Sequence, residues 1–398
     1  MLKIGIIKEG KSCQDNRVAF SPQQCVWIQA HFPTITIYVQ PSAIRCYKDE
    51  EYARKGICLL DDLSNCDILF GIKEVPIEQL IPNKTYLFFS HTKKQQSYNQ
   101  QLFHNLMDKN ITLIDYECLE YEDGQRIIGF GFFAGIVGAH NGILGYGKRT
   151  NLYNLNRVYL LKDFKALMNS YFGLKLPTFK IAVTGSGRVA TGIIEIMNLL
   201  EIKEVEQDEF IEKNFSYPVF VQLKGSNLYE HKIHKNYNRI DFHANPQNYR
   251  CTFKEYLPYT DILMNGIYWE KNIPPLFELK DIQQPNVRLT TIADITDDAN
   301  GSVPCNLGDN TIENPFYGVN KFTNTKTQPF IKDSIDIMAV GNLPNELPRD
   351  ASHYFGEQLI KNVLPGIIEL NEILNNATIL KNGKLMPRFQ YLKDYAAH

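Results

Sequence analysis

Residues 179–200 read "FKIAVTGSGRVATGIIEIMNLL". The apolar run 180–183 predicts a strand, and the apolar spacing after Val189 predicts a helix. Between them lies Gly185-Ser186-Gly187-Arg188-Val189-Ala190, a G-x-G-x-x-A pattern, with Gly192 as one more small residue. The first glycine permits a tight turn, the second lets backbone approach a pyrophosphate, and the third small residue brings helix and strand together. The helix N-terminus adds unpaired N–H groups and the positive end of a dipole. Strand, glycine turn and helix in that order point to a dinucleotide site made by Gly185, Ser186, Gly187, Arg188 and Val189. The alternative is a glycine-rich turn of an α/β protein. The next predicted strand, 202–205, ends at Glu206, 21 residues after Gly185. A carboxylate there would bind the ribose hydroxyls and favour NAD over NADP, with Glu204 and Asp208 as competing choices.

Outward from this stretch the same alternation continues. Strands are predicted at 219–223, 262–265 and 289–293 on its C-terminal side. On the N-terminal side they are predicted at 3–7, 36–39, 68–72, 86–90 and 111–115. Ser21, Pro22 and Gln24 open a helix between the first two as cap, first helical residue and capping-box partner. Strands alternating with helices imply parallel, doubly wound sheets. The glycine-rich segment "FGFFAGIVGAHNGILGYG" suits a helix packed closely on another, as at a domain junction, or an ordinary buried helix. The closing stretch, residues 333–374, reads as a strand, a proline-rich turn and a long amphipathic helix that can fold back on the first domain. The expected domains are a catalytic domain, 1–140 completed by 335–398, and a dinucleotide-binding domain, 141–334.

Composition is that of a globular chain: 398 residues, 44% hydrophobic, 22% charged, net charge −2. Two domain cores are within reach of that length. The charge offers no basic footprint for nucleic acid or an anionic membrane, and no apolar run is long enough to span a bilayer. The start, "MLKIGIIKEG", reads as a strand, not a secretory signal. The eight cysteines (13, 25, 46, 58, 66, 118, 251, 305) form no C-x-x-C pair, so reduced thiols and a cytoplasmic location are expected. His231, His234 and His243 match no zinc spacing and read as a polar surface excursion, so no metal is expected.

In open parallel sheets ligands bind beyond the carboxyl ends of the strands. There the first-domain strands deliver Lys8 and Glu9, then Arg17; Lys73 and Glu74; His91, Lys93 and Lys94; and Tyr116 and Glu117, followed by Arg126. Each alone reads as a loop charge. Together they suggest an active site facing a nicotinamide. A histidine exchanges protons near neutral pH, and a lysine can do so where neighbouring cations lower its pKa. Arginines suit a substrate bearing carboxylates. Lysine and histidine beside a hydride donor suit redox chemistry at a C–N bond.

"IGIIKEGKSCQDNRVAFSP" resembles the opening of the alanine dehydrogenase and transhydrogenase superfamily. "GIKEVP", "FFSHTKKQQ", "LIDYECLEYEDGQRIIGFGFFAG", "DILMNGIYWEKNIPP", "IADITDDANGS", "IENPFY" and "NLPNELPRDASHYFG" resemble the lysine-forming saccharopine dehydrogenases, above all their lysine–ketoglutarate reductase branch. The resemblance implies two Rossmann-like domains with an interdomain cleft. It also implies NAD(P)-dependent interconversion of saccharopine with L-lysine and 2-oxoglutarate; a monomer and a homodimer are both compatible with the sequence. By motif, it implies that Lys73 exchanges a proton with the secondary amine and His91 handles water during imine hydrolysis. Glu74 and Glu117 would tune the pair, and Arg17 and Arg126 would hold substrate carboxylates. Lys94 would bind substrate opposite a family aspartate, where this chain has Gly341. The reductase branch often uses NADPH, so NADP stands beside NAD. A related amino-acid dehydrogenase with another substrate, or a binding protein without turnover, are the alternatives.

Overall fold

The computed structural model describes residues 1–10, 14–122, 124–369 and 371–397. The chain forms two compact units, residues 1–130 with 348–398, and residues 131–347.

The first unit opens with β1 (Leu2–Ile6), β2 (Ile35–Val39), β3 (Cys58–Leu59), β4 (Ile68–Phe70), β5 (Thr85–Phe88) and β6 (Thr112–Asp115). Side by side they run β6-β5-β4-β1-β2-β3, all parallel. Strands flanked by helices on both faces bury nearly every residue, hence the continuous apolar runs of β4 and β5. The first helix, Pro22–His31, begins as its sequence requires: Ser21 Oγ accepts the Gln24 N–H and Gln24 Oε1 accepts the Ser21 N–H. The chain leaves β1 towards β2 and β3 on one side, then returns to build β4, β5 and β6 on the other. The direction reverses between β1 and β4, and a ligand crevice forms at such a reversal.

The second unit holds β7 (Lys180–Thr184), β8 (Lys203–Glu204), β9 (Val219–Leu223), a small hairpin of β10 (Tyr229–His231) and β11 (Tyr249–Cys251), then β12 (Ile262–Asn265), β13 (Thr291–Asp294), β14 (Phe316–Asn320), β15 (Lys326–Thr327) and β16 (Ser334–Met338). The large sheet runs β15-β14-β16-β13-β12-β7-β9-β8, parallel from β16 to β8, with β14 antiparallel on β16. Its order reverses between β7 and β12. The sequence places β8 next after β7, but in the sheet β9 lies between them.

The glycine-rich segment is the helix Gly131–Thr150, and it packs inside the second unit on the helix Arg188–Leu199. A Cβ on Gly135 would stand 2.0 Å from Val189 O, and one on Gly192 2.0 Å from Phe132 O. Only glycine lets the backbones approach this closely.

The tail departs from one long helix. Helix Pro348–Asn362 is followed by short helices Leu364–Ile368 and Glu372–Ala377, because Pro365 cannot donate to the preceding turn. β17 (Thr378–Lys381) then pairs antiparallel with β6 and turns through Asn382-Gly383, both at positive φ, into β18 (Lys384–Leu385). This hairpin extends the first sheet past the parallel strands that the sequence predicted. Strand β16 belongs to the second unit, so that unit runs beyond the expected boundary at 334 and begins before 141, with the helix at 131. The seven described cysteines are free thiols, and Cys13 lies outside the described residues. No helix among the described residues is long and apolar enough to cross a membrane.

Candidate functional site

In the first unit β6, β5, β4 and β1 are consecutive neighbours, so the residues beyond their carboxyl ends share one rim of the sheet. Glu9, beyond β1, reaches across the reversal to the turn after β4. Its Oε1 accepts the Ile72 N–H at 2.8 Å and its Oε2 the Lys73 N–H at 2.9 Å. That carboxylate fixes the backbone from which Lys73 and Glu74 project. Burial, with Asp15 adding to it, pushes Glu9 up to about 8, against the pull of the two N–H donors.

His91 follows β5 at φ 53°, an uncommon conformation for a residue with a Cβ. Its Nδ1 lies 2.7 Å from Glu74 Oε1. Asn99 donates to Ser90 O at 3.1 Å and to the same Glu74 oxygen at 3.4 Å. On either side of His91, Ser90 and Thr92 are fully buried, and their hydroxyls are 2.7 Å apart. Asp115, at the end of β6 and 0% exposed, secures this turn. Its Oδ2 accepts the Ser90 N–H at 3.1 Å and the Ser90 hydroxyl, while Oδ1 accepts the Glu117 N–H at 2.7 Å. Burial, then the Glu117 carboxylate, push Asp115 up to about 6; the Ser90 and Glu117 donors pull it back. Strain of this kind persists only where surroundings over-determine it, and it gathers at functional sites.

The remaining expected residues fall in three settings. Arg126 pairs with Glu117 at 2.8 Å, and its side chain is 42% exposed. Arg17 is buried, stacked over Phe130 at 4.2 Å. Asp15 takes its Nε at 3.0 Å and its Nη2 at 2.6 Å. Burial raises the Asp15 carboxyl, but Arg17, helped by nearby Lys73, wins and holds it below the usual carboxylate range. The guanidinium is thus engaged inside the unit, where the sequence reading had a cation waiting for substrate. Lys94 is exposed, and no carboxylate among the described residues lies within ion-pair distance of it. Its neighbour Lys93 pairs with Glu120 at 2.5 Å. Sequence reasoning missed Asp15 and Asp115. For Asp115 the cue was a carboxylate at a strand end, which side-chain chemistry alone does not separate from a surface charge; Asp15, in the loop after β1, offered none.

The second site lies in the other unit. Gly185 follows β7 at φ +103°, and a Cβ there would stand 2.6 Å from Gly266 O, just beyond β12. The two strand ends that flank the reversal meet glycine to glycine. Gly187 caps the helix Arg188–Leu199 and has open space where its Cβ would be. An exposed Ser186 and Gly187 leave that helix end accessible to a pyrophosphate, so the residues fit a dinucleotide. Beneath them Thr184 donates to Asn265 Oδ1 (2.7 Å), and Asn265 donates to Asp294 (2.9 Å) and Ser302 (2.7 Å), a buried chain that locks three strand ends together. Glu206 is exposed at the cap of the helix Gln207–Glu212 and follows the edge strand β8. With β9 in between, it lies one strand further from the glycine loop than the sequence order implied. In the small hairpin, His231 Nδ1 accepts the Ile233 and His234 N–H groups, a turn-forming role.

Comparison with known proteins agrees with this fold. Residues 5–137 match the family model "Alanine dehydrogenase/PNT, N-terminal domain". The chain is 30% identical to the alpha-aminoadipic semialdehyde synthase of Arabidopsis thaliana over 98% of its own length and 41% of that protein's. It is 29% identical to the mitochondrial synthase of Mus musculus, over 90% and 44%. It thus spans less than half the length of these relatives. The saccharopine dehydrogenase [NAD(+), L-lysine-forming] of Candida glabrata is 26% identical over 88% of this chain and 91% of that one. Among solved structures, an L-alanine dehydrogenase superposes with TM-score 0.68 at 16% identity, covering both chains completely. The transhydrogenase from Sinorhizobium meliloti gives 0.59 at 13%, covering 96% of this chain. The chain is a homologue of the aminoadipic semialdehyde synthases and lysine-forming saccharopine dehydrogenases, built on the alanine dehydrogenase fold of two Rossmann-like domains.

Proposed function

We propose that the protein is a nicotinamide-dinucleotide-dependent dehydrogenase that interconverts saccharopine and water with L-lysine and 2-oxoglutarate, using NAD or NADP. The observation that carries this reading is the first-unit rim. There Lys73 is set by Glu9, and His91 is bonded to Glu74, on adjacent strand ends. The names of the relatives supply the substrate. Bound dinucleotide would accept a hydride from the carbon next to the secondary amine. Lys73 takes the proton of that amine as the imine forms. His91, its Nδ1 oriented by Glu74, removes a proton from the water that adds to the imine carbon. Lys73 returns its proton to nitrogen in the carbinolamine; His91 then passes the water proton to the same nitrogen while the carbinol hydroxyl gives its proton to Lys73, so that the C–N bond breaks, the C=O of 2-oxoglutarate forms and lysine leaves. Arg126 is the accessible anchor for a substrate carboxylate, and Arg17, with its Nε–H and one Nη2–H taken by Asp15, can add its remaining N–H groups.

A second reading has one observation in its favour: exposed Lys94 has no carboxylate beside it among the described residues, so a related amino-acid dehydrogenase with a different amine remains the competing assignment. Purified protein mixed with saccharopine and either dinucleotide, followed by absorbance of the reduced cofactor, separates the two. Lys73→Met and His91→Gln should each slow turnover roughly a hundredfold or more. Unchanged rates in both variants would refute the assigned pair, and turnover with another amino acid instead of saccharopine would favour the second reading.

A further inference from the structure

The loop that carries His91 and Lys94 is held from a second side, by the tail of the chain. A catalytic role for that hold rests on the substrate reading of the first-unit rim. The loop leaves β5 with two residues in the left-handed region, His91 at φ 53° and Gln95 at φ 55°. Such backbone keeps one shape only where its surroundings fix it. Asp115 fixes the near end through Ser90. Asn99 closes the loop: its side chain donates to Ser90 O at 3.1 Å and its backbone N–H to Gln96 O at 3.0 Å.

The tail reaches the far end. It docks on the helix Gln100–Asp108, where Gln100, Phe103 and His104 share a face at i, i+3 and i+4. Gln100 Nε2 and His104 Nε2 each donate to Tyr395 O at 3.2 Å, and the Phe103 and Tyr395 rings lie 5.4 Å apart. Phe389, Leu392 and Tyr395 are all buried. From this seat the Tyr395 hydroxyl donates to Gln96 O at 2.7 Å. Earlier in the tail, Tyr391 Oη donates to Lys93 O at 3.4 Å. Arg388 Nη2 meets Glu120 Oε2 at 3.3 Å, while Oε1 of the same carboxylate holds Lys93 Nζ at 2.5 Å. The tail therefore grips residues 93 and 96, on both sides of the exposed Lys94, and all these groups belong to the first unit.

We propose that residues 387–396 are a strap that presents Lys94 to the substrate, with Tyr395 and Arg388 as positioning residues acting through that lysine. Chain ends are ordered only where they are tied down, and here the ties lead to the active-site loop. Tyr395→Phe tests this, because it keeps the ring against Phe103 and removes only the hydroxyl. At saturating dinucleotide it should raise KM for saccharopine about five- to tenfold, the worth of one hydrogen bond, with kcat within about twofold. Arg388→Met should act in the same direction but more weakly, since its side chain is 50% exposed. In a Lys94→Met background Tyr395→Phe should change KM no further, because the residue it positions is gone. Amide hydrogen exchange over residues 92–97 should quicken in Tyr395→Phe, while β4 and β5 stay as protected as in wild type. An unchanged KM, a fall in kcat at constant KM, or full additivity with Lys94→Met would overturn the proposal. If wild type does not turn over saccharopine, the substrate reading fails, and exchange alone decides the strap: quickened exchange over 92–97 upholds it, and unchanged exchange there overturns it.

Discussion

The Asp115 carboxylate takes both the backbone N–H and the hydroxyl of Ser90 on one oxygen, and with the other it holds the Glu117 N–H. One buried group thereby sets the turn that carries His91 and the turn that carries Glu117. All its partners are donors, so an amide cannot replace it without pointing an N–H at an N–H. Asp115→Asn is expected to lower kcat at least tenfold while leaving dinucleotide affinity unchanged, because the glycine loop after β7 belongs to the other unit. Unfolding free energy should fall by about 2–4 kcal/mol, as for a broken buried network. Steady-state kinetics and denaturant titration check both. Wild-type kcat in Asp115→Asn would mean that the His91 conformation is set elsewhere.

The two facing glycines of the second unit give a sharper stability test. Gly135 and Gly192 would each place a Cβ 2.0 Å from a backbone oxygen of the opposite helix. Backbone cannot swing aside as a side chain can, so the helices must part. Gly192→Ala is expected to cost on the order of 3 kcal/mol, at the upper end of overpacking effects. Gly187→Ala, with open space at its Cβ, should cost far less and instead weaken dinucleotide binding. Equal melting temperatures for wild type and Gly192→Ala would contradict the packing.

Much of this was legible in the sequence, and the failures have physical causes. Strands buried on both faces leave uninterrupted apolar runs, so β4, β5, β7, β9 and β12 and the groups at their ends could be read directly. Lys73, His91, Glu74 and Glu117 do gather on one rim, because consecutive strands happen to be neighbours there. In the second sheet that assumption broke: β9 inserts between β7 and β8, and no local pattern records which strand a strand will pair with. The Glu206 reading depended on it. Arg17 shows a different limit. Its charge was visible, but not that Asp15, two residues away, would engage it in the interior. The β17–β18 hairpin did leave a cue, Asn382-Gly383, a dipeptide suited to positive φ at both turn positions.

His140 predicts an acid limit for the second unit. It is fully buried on the helix Gly131–Thr150, 2.8 Å from Asn156 O and 2.7 Å from the Tyr171 hydroxyl. A carbonyl only accepts, so Nε2 carries the proton and Nδ1 accepts from Tyr171. Burial, with Arg157 adding to it, pushes His140 down to about 4, against the backbone bond. A depressed pKa means the unfolded chain binds the proton first. The stabilisation is therefore complete above about pH 6.5 and is lost as pH falls through about 4, a swing of about 3 kcal/mol. Urea titrations across that window should show wild type losing this much more stability than His140→Gln, which has nothing to titrate. Parallel curves would mean that His140 is not buried neutral.

Gly341 is where the family resemblance implied an aspartate, and its surroundings bear on what restoring one would do. A Cβ there would stand 2.8 Å from Asp297 Oδ2 and 3.5 Å from Asp309 Oδ2. Asp297 Oδ1 is buried with no hydrogen-bond partner among the described residues. Burial, then the carboxylates of Asp309, Asp294 and Asp298, push Asp297 up to about 8. A further carboxylate at 341 would join this group rather than relieve it. Gly341→Ala should be close to neutral, since the obstructing atom is the end of a side chain. Gly341→Asp should lose about 1–3 kcal/mol relative to the isosteric Gly341→Asn. A carboxyl with a raised pKa is accommodated while protonated and becomes costly as pH climbs through that value. The deficit of Gly341→Asp should therefore grow between pH 6 and pH 9. Thermal melts of the three variants at the two pH values decide it: identical melting points for the aspartate and asparagine variants throughout would show that Asp297 and Asp309 do not crowd position 341.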